Sequence, residues 1–226
     1  MPSHRSEIDG ASIVLIGKFN PAIFQPAWLG ACNLLRKEEV EGAVIEVINP
    51  QVTSFSADWL KIQVLADRFQ AITADSAHYQ ALRDLVISIF HLLEHTPFSV
   101  MGMNRDMHFK MESEAPYHRL GHLLAPKEIW NPILDSPGMR SLLMQGSPVK
   151  QNGVSVINYV RVEPSLRIVP GVYIQLNVEV SIPEATQSDI VAQQRAARRL
   201  MEYLGQYWDE MMTRAKQIAD HLLSRV

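Results

Sequence analysis

Residues 186–224 read TQSDIVAQQRAARRLMEYLGQYWDEMMTRAKQIADHLLS, and this stretch decides the fold of the chain. No proline interrupts it, and its apolar residues recur at the spacing of one face of an α-helix. This apolar stripe consists of Ile190, Ala197, Met201, Leu204, Trp208, Met211, Ala215, Ile218, Ala219 and Leu222. Thr186 is suited to cap the first turn. We therefore predict one long amphipathic C-terminal helix.

The predicted helix is long for a chain of 226 residues. At 1.5 Å per residue it spans about 55 Å, which is more than the diameter of a compact domain of this size. Its apolar stripe must therefore cover a broad sheet, a partner chain, or both. We expect a homo-oligomer or binding to a protein partner, with Met201, Leu204, Trp208 and Met211 as the interaction residues.

The composition is that of an ordinary globular protein, with 47% hydrophobic and 20% charged residues. The formal net charge is −3 and no basic run is present, so no nucleic-acid partner is expected. A single cysteine excludes an intramolecular disulfide. No apolar run is long enough to span a membrane, and the first ten residues do not resemble a signal peptide. We expect a cytoplasmic protein without a membrane partner.

The rest of the chain alternates between strands and helices. Strands are predicted over 11–19, 41–49, 57–71, 98–103, 154–163 and 172–182, and helices over 21–36, 76–95 and 113–134. Apolar and polar residues alternate in several of these strands, which is typical of antiparallel sheets with one covered face. The sequence therefore predicts an α+β protein with a mainly antiparallel sheet, folded as a single domain over residues 1–226.

The order of the predicted elements repeats along the chain. A β-α-β-β-α unit over residues 11–95 is followed by a similar unit over 98–224, and short matches such as KIQV at 61–64 with YIQL at 173–176 accompany it. Duplication of one unit and coincidence both account for such short matches. The sequence leaves the two explanations open.

The sharpest match to a chemical motif is HLLEH at residues 91–95, which has the H-x-x-E-H pattern of a class of zinc peptidases. On a helix, His91 and His95 lie one turn apart and can bind one Zn²⁺, while Glu94 acts as a base on bound water. This chemistry would make the protein a small metal-dependent hydrolase.

The same five residues also suit an ordinary exposed helix end. Pro97 stops the helix within two residues, and both histidines project away from the apolar face of the helix. A hydrolytic site also needs a third, acidic ligand, for which Glu163 and Glu179 are the candidates. We favour the exposed helix end and keep the metal site as an alternative.

Two other polar groups are candidates for a site. His118 and His122 are also four residues apart and could join His108 around a metal ion, although exposed histidines are the simpler explanation. Asn104-Arg105-Asp106 interrupts an apolar stretch in which the strand of 98–103 could continue to Met111. The three residues are a polar site, a bulge or a turn, of which we favour the turn. No glycine-rich phosphate loop and no G-x-S-x-G elbow occur, so no cofactor is expected.

Four features of the chain occur together in a known family. They are WLKIQVLADRF at 59–69, the helix at 76–95, the strand ending in MGMNR at 101–105, and the aromatic C-terminal helix around Trp208. In these features the chain resembles a sporadically distributed, uncharacterised family of bacterial and archaeal proteins. The resemblance implies a duplicated α+β fold and supplies no catalytic residues. The chain departs from the family pattern after Gly102, where Met103-Asn104 replaces an arginine–tyrosine pair.

We therefore predict a non-catalytic interaction or assembly protein that self-associates. It could be an accessory subunit of a bacterial multi-protein system such as phage defence, or a chaperone-like protein that binds extended chains at strand edges. Two alternatives stay open: the metal-dependent hydrolase, and a protein that holds an apolar small molecule between sheet and helix.

Overall fold

The computed structural model of the protein describes residues 4–183 and 189–226. Within these residues, ten strands form one sheet in which neighbouring strands are antiparallel. They are β1 (Ile8–Gly17), β2 (Val44–Ile48), β3 (Val52–Ala57), β4 (Leu60–Leu65), β5 (Arg68–Thr73), β6 (Phe98–Lys110), β7 (Leu142–Gln145), β8 (Val149–Gln151), β9 (Val154–Pro164) and β10 (Gly171–Ser181). Their order across the sheet is β2-β3-β4-β5-β1-β6-β10-β9-β7, and β8 also pairs with β9.

The described residues also form α1 (Pro26–Ala31), α2 (Lys37–Glu41), α3 (Tyr79–Leu92), α4 (Glu114–Leu124) and α5 (Ile190–Leu223). Helices α3 and α5 lie over the centre of the sheet: α3 packs against β1 and β5, and α5 packs against β6, β10 and α3. We call the covered side of the sheet the helix face and the opposite side the open face. The predicted α+β class and the mainly antiparallel sheet are thereby confirmed.

Strand β10 shows how the sequence assigns side chains to the two faces. Its even-numbered positions 172–180 carry only valine, isoleucine or leucine, and these side chains are buried under the helices. Its odd-numbered positions carry Tyr173, Gln175, Asn177, Glu179 and Ser181, which are half-buried on the open face. This period of two is the pattern of a strand with one covered face. The apolar core therefore lies between the sheet and the helices.

The predicted C-terminal helix is confirmed as α5, which begins at Ile190. Its N-cap is Asp189, whose carboxylate accepts a hydrogen bond from the backbone N–H of Ala192 at 2.9 Å. Thr186, the predicted cap, lies outside the described residues. The helix has 34 residues and a length of about 51 Å. The broad sheet and α3 bury most of its apolar stripe, from Ala197 to Ala219, so this part belongs to the core of the chain, whereas Ile190 at the first turn is 49% exposed.

Residues 57–71, predicted as one strand, begin with the last residue of β3 and then contain β4 and the start of β5, which meet at a turn over residues 66–67. Val64 on β4 and Phe69 on β5 are both fully buried on the helix face. One straight strand would place these two side chains on opposite faces, because five residues separate them and faces alternate every residue. The alternation therefore changes phase at the turn, and the prediction of one strand was wrong.

The predicted turn at residues 104–106 is also wrong. Strand β6 runs without interruption from Phe98 to Lys110, so it includes nearly all of the continuation to Met111 that the sequence left open. Within it, Arg105 points to the helix face, while Asn104 and Asp106 stand on the open face. These three polar residues therefore lie within a central strand. The charged side chain of Arg105 is on the helix face, and that of Asp106 is on the open face.

Arg105 joins four elements at the centre of the helix face. Its Nε and Nη2 atoms donate to the two carboxylate oxygens of Asp9 on β1, at 3.0 and 2.6 Å. Its Nη1 atom donates to the backbone carbonyl of Met212 on α5 at 2.6 Å. The hydroxyl of Tyr79 on α3 donates to Asp9 at 2.5 Å. The side chains of Arg105 and Asp9 are only 12% and 15% exposed.

The same contacts set the charge state of Asp9. Burial raises the pKa of Asp9, but the hydrogen bonds from Arg105, Tyr79 and Ser6, together with the positive charge of Arg105, outweigh it. The pKa of Asp9 therefore lies below its ordinary value, and the carboxylate stays ionised in the folded protein. The ion pair is bidentate, and two charge-assisted hydrogen bonds between one guanidinium and one carboxylate make a strong interaction.

The strand order is symmetrical about the β1–β6 pair. Strands β5, β4 and β3 follow outward from β1, as β10, β9 and β8 follow outward from β6. Within the part of the chain that the structure describes, each half contains a first strand, one or two helices, four further strands and a closing helix, which is two strands more than the predicted β-α-β-β-α unit. The predicted match of residues 61–64 with 173–176 joins β4 to β10, which hold different places in this order.

Replacing Arg105 with methionine would leave the Asp9 carboxylate buried without its cation. We expect the free energy of unfolding at pH 7 to fall by about 3–5 kcal/mol. Because the folded-state pKa of Asp9 is lowered, its stabilising contribution is present above the unfolded pKa and is lost as the pH falls through the folded pKa. The difference in the free energy of unfolding between wild type and Arg105→Met should therefore become smaller below about pH 4. Urea unfolding at several pH values measures it.

The matched control for this experiment is Lys61→Met. Lys61 also pairs with a carboxylate, that of Glu46, but both side chains are more than 40% exposed. An exposed pair contributes little to stability, so this variant should unfold like the wild type at every pH. A pH-independent loss in Arg105→Met, or equal losses in the two variants, would contradict the role given to the buried pair.

Trp208 is fully buried between α5 and the sheet. Replacing it with alanine removes the largest side chain of the core and leaves a cavity, so we expect a loss of about 3–5 kcal/mol in the free energy of unfolding. Glu210→Ala, on the exposed side of the same helix, should change this free energy by less than about 0.5 kcal/mol. Urea denaturation of both variants tests the assignment, and a stable Trp208→Ala protein would refute it.

Candidate functional site

The H-x-x-E-H residues do not share a helix. Helix α3 ends at Leu92, so Glu94 and His95 lie beyond it and the predicted one-turn spacing from His91 is lost. The His95 side chain is 84% exposed, and its Nε2 atom lies 3.6 Å from Glu94, which is also 3.6 Å from Arg198. Helix 76–95 was thus predicted too long at its C-terminal end. The geometry is that of an exposed helix end.

The other predicted metal ligands are also apart. Glu163 accepts a hydrogen bond from Ser141, and His108 contacts Ser165. His122 lies 3.2 Å from Glu128 on the far side of α4. Within residues 4–183 and 189–226, no three histidine, cysteine, aspartate or glutamate side chains come close enough to hold a metal ion.

The four predicted interaction residues lie in the core. Met201 and Met211 are 4% exposed, and Leu204 and Trp208 are fully buried against the chain's own sheet and α3. They therefore offer no exposed surface to a partner. The cavity between α3 and α5 holds only about 230 Å³ and is lined by charged as well as apolar side chains, including Glu94, Arg198 and Glu202. An apolar ligand finds little room there.

A polar cluster stands on the open face where β1, β6 and β10 run side by side. The hydroxyl of Tyr173 and the amide of Gln175 both donate to the same carboxylate oxygen of Asp106, the latter at 2.8 Å. Burial raises the pKa of Tyr173, and the negative charge of Asp106 raises it further, so the phenol stays protonated and keeps donating. The second oxygen of Asp106 is left for other partners.

His108 is the next residue on the same face of β6, and its protonation can be deduced from its neighbours. The Oγ atom of Ser165 accepts hydrogen bonds from the backbone N–H groups of Arg167 and Ile168, at 3.2 and 3.0 Å. A hydroxyl has two lone pairs, so with both occupied it donates its proton to Nδ1 of His108, 2.8 Å away. A neutral His108 therefore carries its proton on Nε2.

The charge of His108 follows from its surroundings. Burial lowers the pKa of His108, the positive charge of Arg167 lowers it further, and the charge of Asp106 opposes both. The resulting pKa is below the ordinary value, so the imidazole is neutral at pH 7. Its ring also packs against Tyr173, with the ring centres 4.9 Å apart.

One cavity of about 430 Å³ is lined by Asp106, His108, Tyr173 and Arg167. Its floor is formed by the ends of β1 and β5, including Ile8, Gly10 and Ile72, and its far wall is the β9–β10 hairpin with Leu166 and Arg167. The Arg167 side chain is exposed and makes no ion pair among the described residues. The cavity thus offers a cation, a neutral donor, the two carboxylates of Asp106 and Glu163, and an apolar floor.

A second, different surface lies at the β7 end of the sheet. Eight of the 17 large exposed apolar side chains in the described residues fall between residues 123 and 149. They are Leu123, Ile129, Trp130, Ile133, Leu134, Leu143, Met144 and Val149. We call residues 123–149 the apolar edge segment. Soluble monomers seldom concentrate so much exposed apolar surface without a use for it.

The sequence contained a signal for the polar cluster but not for the apolar edge segment. Asn104-Arg105-Asp106 marks the central strand, and the odd positions of β10 supply Tyr173 and Gln175. The sequence alone does not show that Asp106 and Tyr173, which are 67 residues apart, come into contact across the β6–β10 pair. Residues 113–134 were predicted only to be helical, with no exposed apolar surface assigned to them.

None of the described helices combines the length and apolar character needed to cross a lipid bilayer. No protein-family model matches the chain, and no curated protein matches it. The resemblance found in residues 59–69 and 101–105 therefore stays a prediction.

Proposed function

We propose that the protein is a non-catalytic interaction protein that associates with a second copy of itself through the apolar edge segment. The observation that carries this proposal is the concentration of exposed apolar side chains in residues 123–149. Burying such side chains releases about 25 cal/mol per Å² of apolar surface, which favours association. The C-terminal helix predicted to associate is covered within the chain, so the proposal rests on a different surface.

The edge strand gives the second copy a way to align. Strand β7 pairs only with β9 in the described residues, so its other edge presents unpaired backbone groups. Two β7 strands can pair antiparallel about a twofold axis, since each copy then contributes the same surface. Leu143 and Met144, both more than half exposed, would lie in this contact.

The opposite edge of the sheet is less suited to pairing. Strand β2 also exposes Val44 and Ile45, but its register with β3 shifts between Ile45 and Val47. Glu46, at this bulge, forms an ion pair with Lys61 and accepts a hydrogen bond from Ser54. Bulges and charged side chains are the means by which proteins keep edge strands from pairing. This contrast favours the β7 edge.

The symmetrical strand order leads us to propose in addition that the two halves arose by duplication of one unit. Its support is the shared sequence of elements, in which β1 and β6, β5 and β10, and β4 and β9 hold equivalent places. Under this proposal the apolar edge segment occupies the place that β2 and β3 hold in the first half, so one end of an ancestral sheet became adapted for association.

Light scattering on a sizing column tests self-association between about 1 and 100 μM, a range that covers micromolar dissociation constants. We expect a mass near twice that of the chain, which is 25.5 kDa. The double variant Ile133→Lys/Leu143→Lys adds charge to two exposed side chains and should return the protein to the single-chain mass with unchanged thermal stability.

Leu92→Lys is the matched control, because Leu92 is as exposed as Leu143 but lies at the end of α3. It should keep the doubled mass. A wild-type protein that stays a single chain up to about 100 μM would contradict the proposal, since such a dimer would be too weak to matter. If the double variant still had twice the single-chain mass, the interface would lie outside the apolar edge segment.

A further inference from the structure

We infer that the cavity on the open face beside Asp106 and Arg167 is a binding site for a small zwitterion, namely an α-amino acid with an apolar side chain. This site is separate from the apolar edge segment and does not depend on self-association. Its volume of about 430 Å³ is within the range of small-molecule sites and exceeds the size of one amino acid.

The positive side of the site would hold the carboxylate of the ligand. Arg167 is exposed and makes no ion pair among the described residues, and its guanidinium is suited to a carboxylate. Neutral His108 carries a proton on Nε2, because Ser165 occupies Nδ1. Two donors of different kinds therefore line the same cavity.

The negative side would hold the ammonium group. Tyr173 and Gln175 both bind one oxygen of Asp106, which fixes the orientation of the carboxylate and leaves its second oxygen for a ligand. Asp106 and His108 are two residues apart on one face of β6, so their backbones are separated by about 7 Å. A ligand with both charges can therefore contact both residues, whereas a simple anion would be repelled by Asp106.

The floor of the cavity suits an apolar side chain and has room for it. Ile8 and Ile72 form this floor, and the exposed Leu166 stands at the far wall beside Arg167. Gly10 faces Asp106 across the β1–β6 pair, and a Cβ atom at this position would lie 3.1 Å from the carbonyl oxygen of Thr73. The glycine therefore allows the backbone of Thr73, another residue that lines the cavity, to approach β1 closely.

Isothermal titration with leucine tests the inference, with two analogues that each lack one charge. We expect leucine to bind, and 4-methylpentanoate and 3-methylbutylamine to bind at least about tenfold more weakly, because each loses one charge-assisted contact. Arg167→Gln and Asp106→Asn should each weaken leucine binding by at least about tenfold. Arg167 is exposed, so its variant keeps the fold and remains informative if Asp106→Asn is unstable.

Arg68→Gln is the matched control, because Arg68 stands on the open face of β5 outside the cavity and donates to Gln70 at 2.9 Å. This variant should bind leucine like the wild type. The inference is overturned if leucine gives no binding signal up to about 10 mM, because the affinity would then be lower than a functional site needs. It is equally overturned if the three compounds bind alike, or if Arg167→Gln and Arg68→Gln have the same affinity.

Discussion

The bidentate ion pair between Arg105 and Asp9 is the contact on which the arrangement of the two halves depends. It crosses the β1–β6 pair, which is the junction of the halves, and it also fixes α5 through Met212 and α3 through Tyr79. Apolar side chains alone would hold these elements together but would tolerate small shifts, because hydrophobic contacts are not directional. The paired charges fix one position.

This pair also constrains the register of the central strands. Arg105 lies opposite Ala11, and Asp9 lies opposite Met107. A slip of β6 by one residue would move Arg105 to the open face and bring Asn104 or Asp106 under the helices. Such a slip would leave the Asp9 carboxylate buried without a cation, at a cost of several kcal/mol. The buried charges therefore select a single register, and the polar cluster on the open face forms only in that register.

The parts of the fold that could be predicted are those in which one pattern persists for many residues. The 34 residues of α5 and the strict alternation of β10 are such cases, since a pattern that is repeated many times is still recognised when single residues depart from it. The prediction failed at residues 57–71, where the alternation changes phase at a two-residue turn that contains neither glycine nor proline. Asp67 is the one residue of that turn whose type is common in turns, and a single such residue does not mark a turn within an alternating pattern.

The candidate sites show the same limit more strongly. The H-x-x-E-H motif specifies residue types, but its chemistry needs a helix that continues through His95, and α3 ends three residues earlier. The polar cluster depends on β6 lying next to β10, a long-range pairing that spacing within one sequence does not reveal. The types of the apolar residues in 123–149 do not show whether these residues are exposed or buried, because exposed patches and cores both contain leucine, isoleucine and methionine.

Glu163 links the two surfaces to which we assign binding. It lines the cavity on the open face, and it accepts a hydrogen bond from Ser141, the residue that precedes β7. Under the two proposals, pairing of β7 with a second copy would place the dimer contact next to Ser141, which is hydrogen-bonded to a carboxylate at the wall of the zwitterion site. Any effect of dimerisation on this site must be reciprocal: if dimerisation changes the affinity for the ligand by some factor, the ligand changes the dimerisation constant correspondingly. The short path through Ser141 and Glu163 gives this coupling a physical route, because it needs only the movement of one hydrogen-bonded pair at the sheet edge.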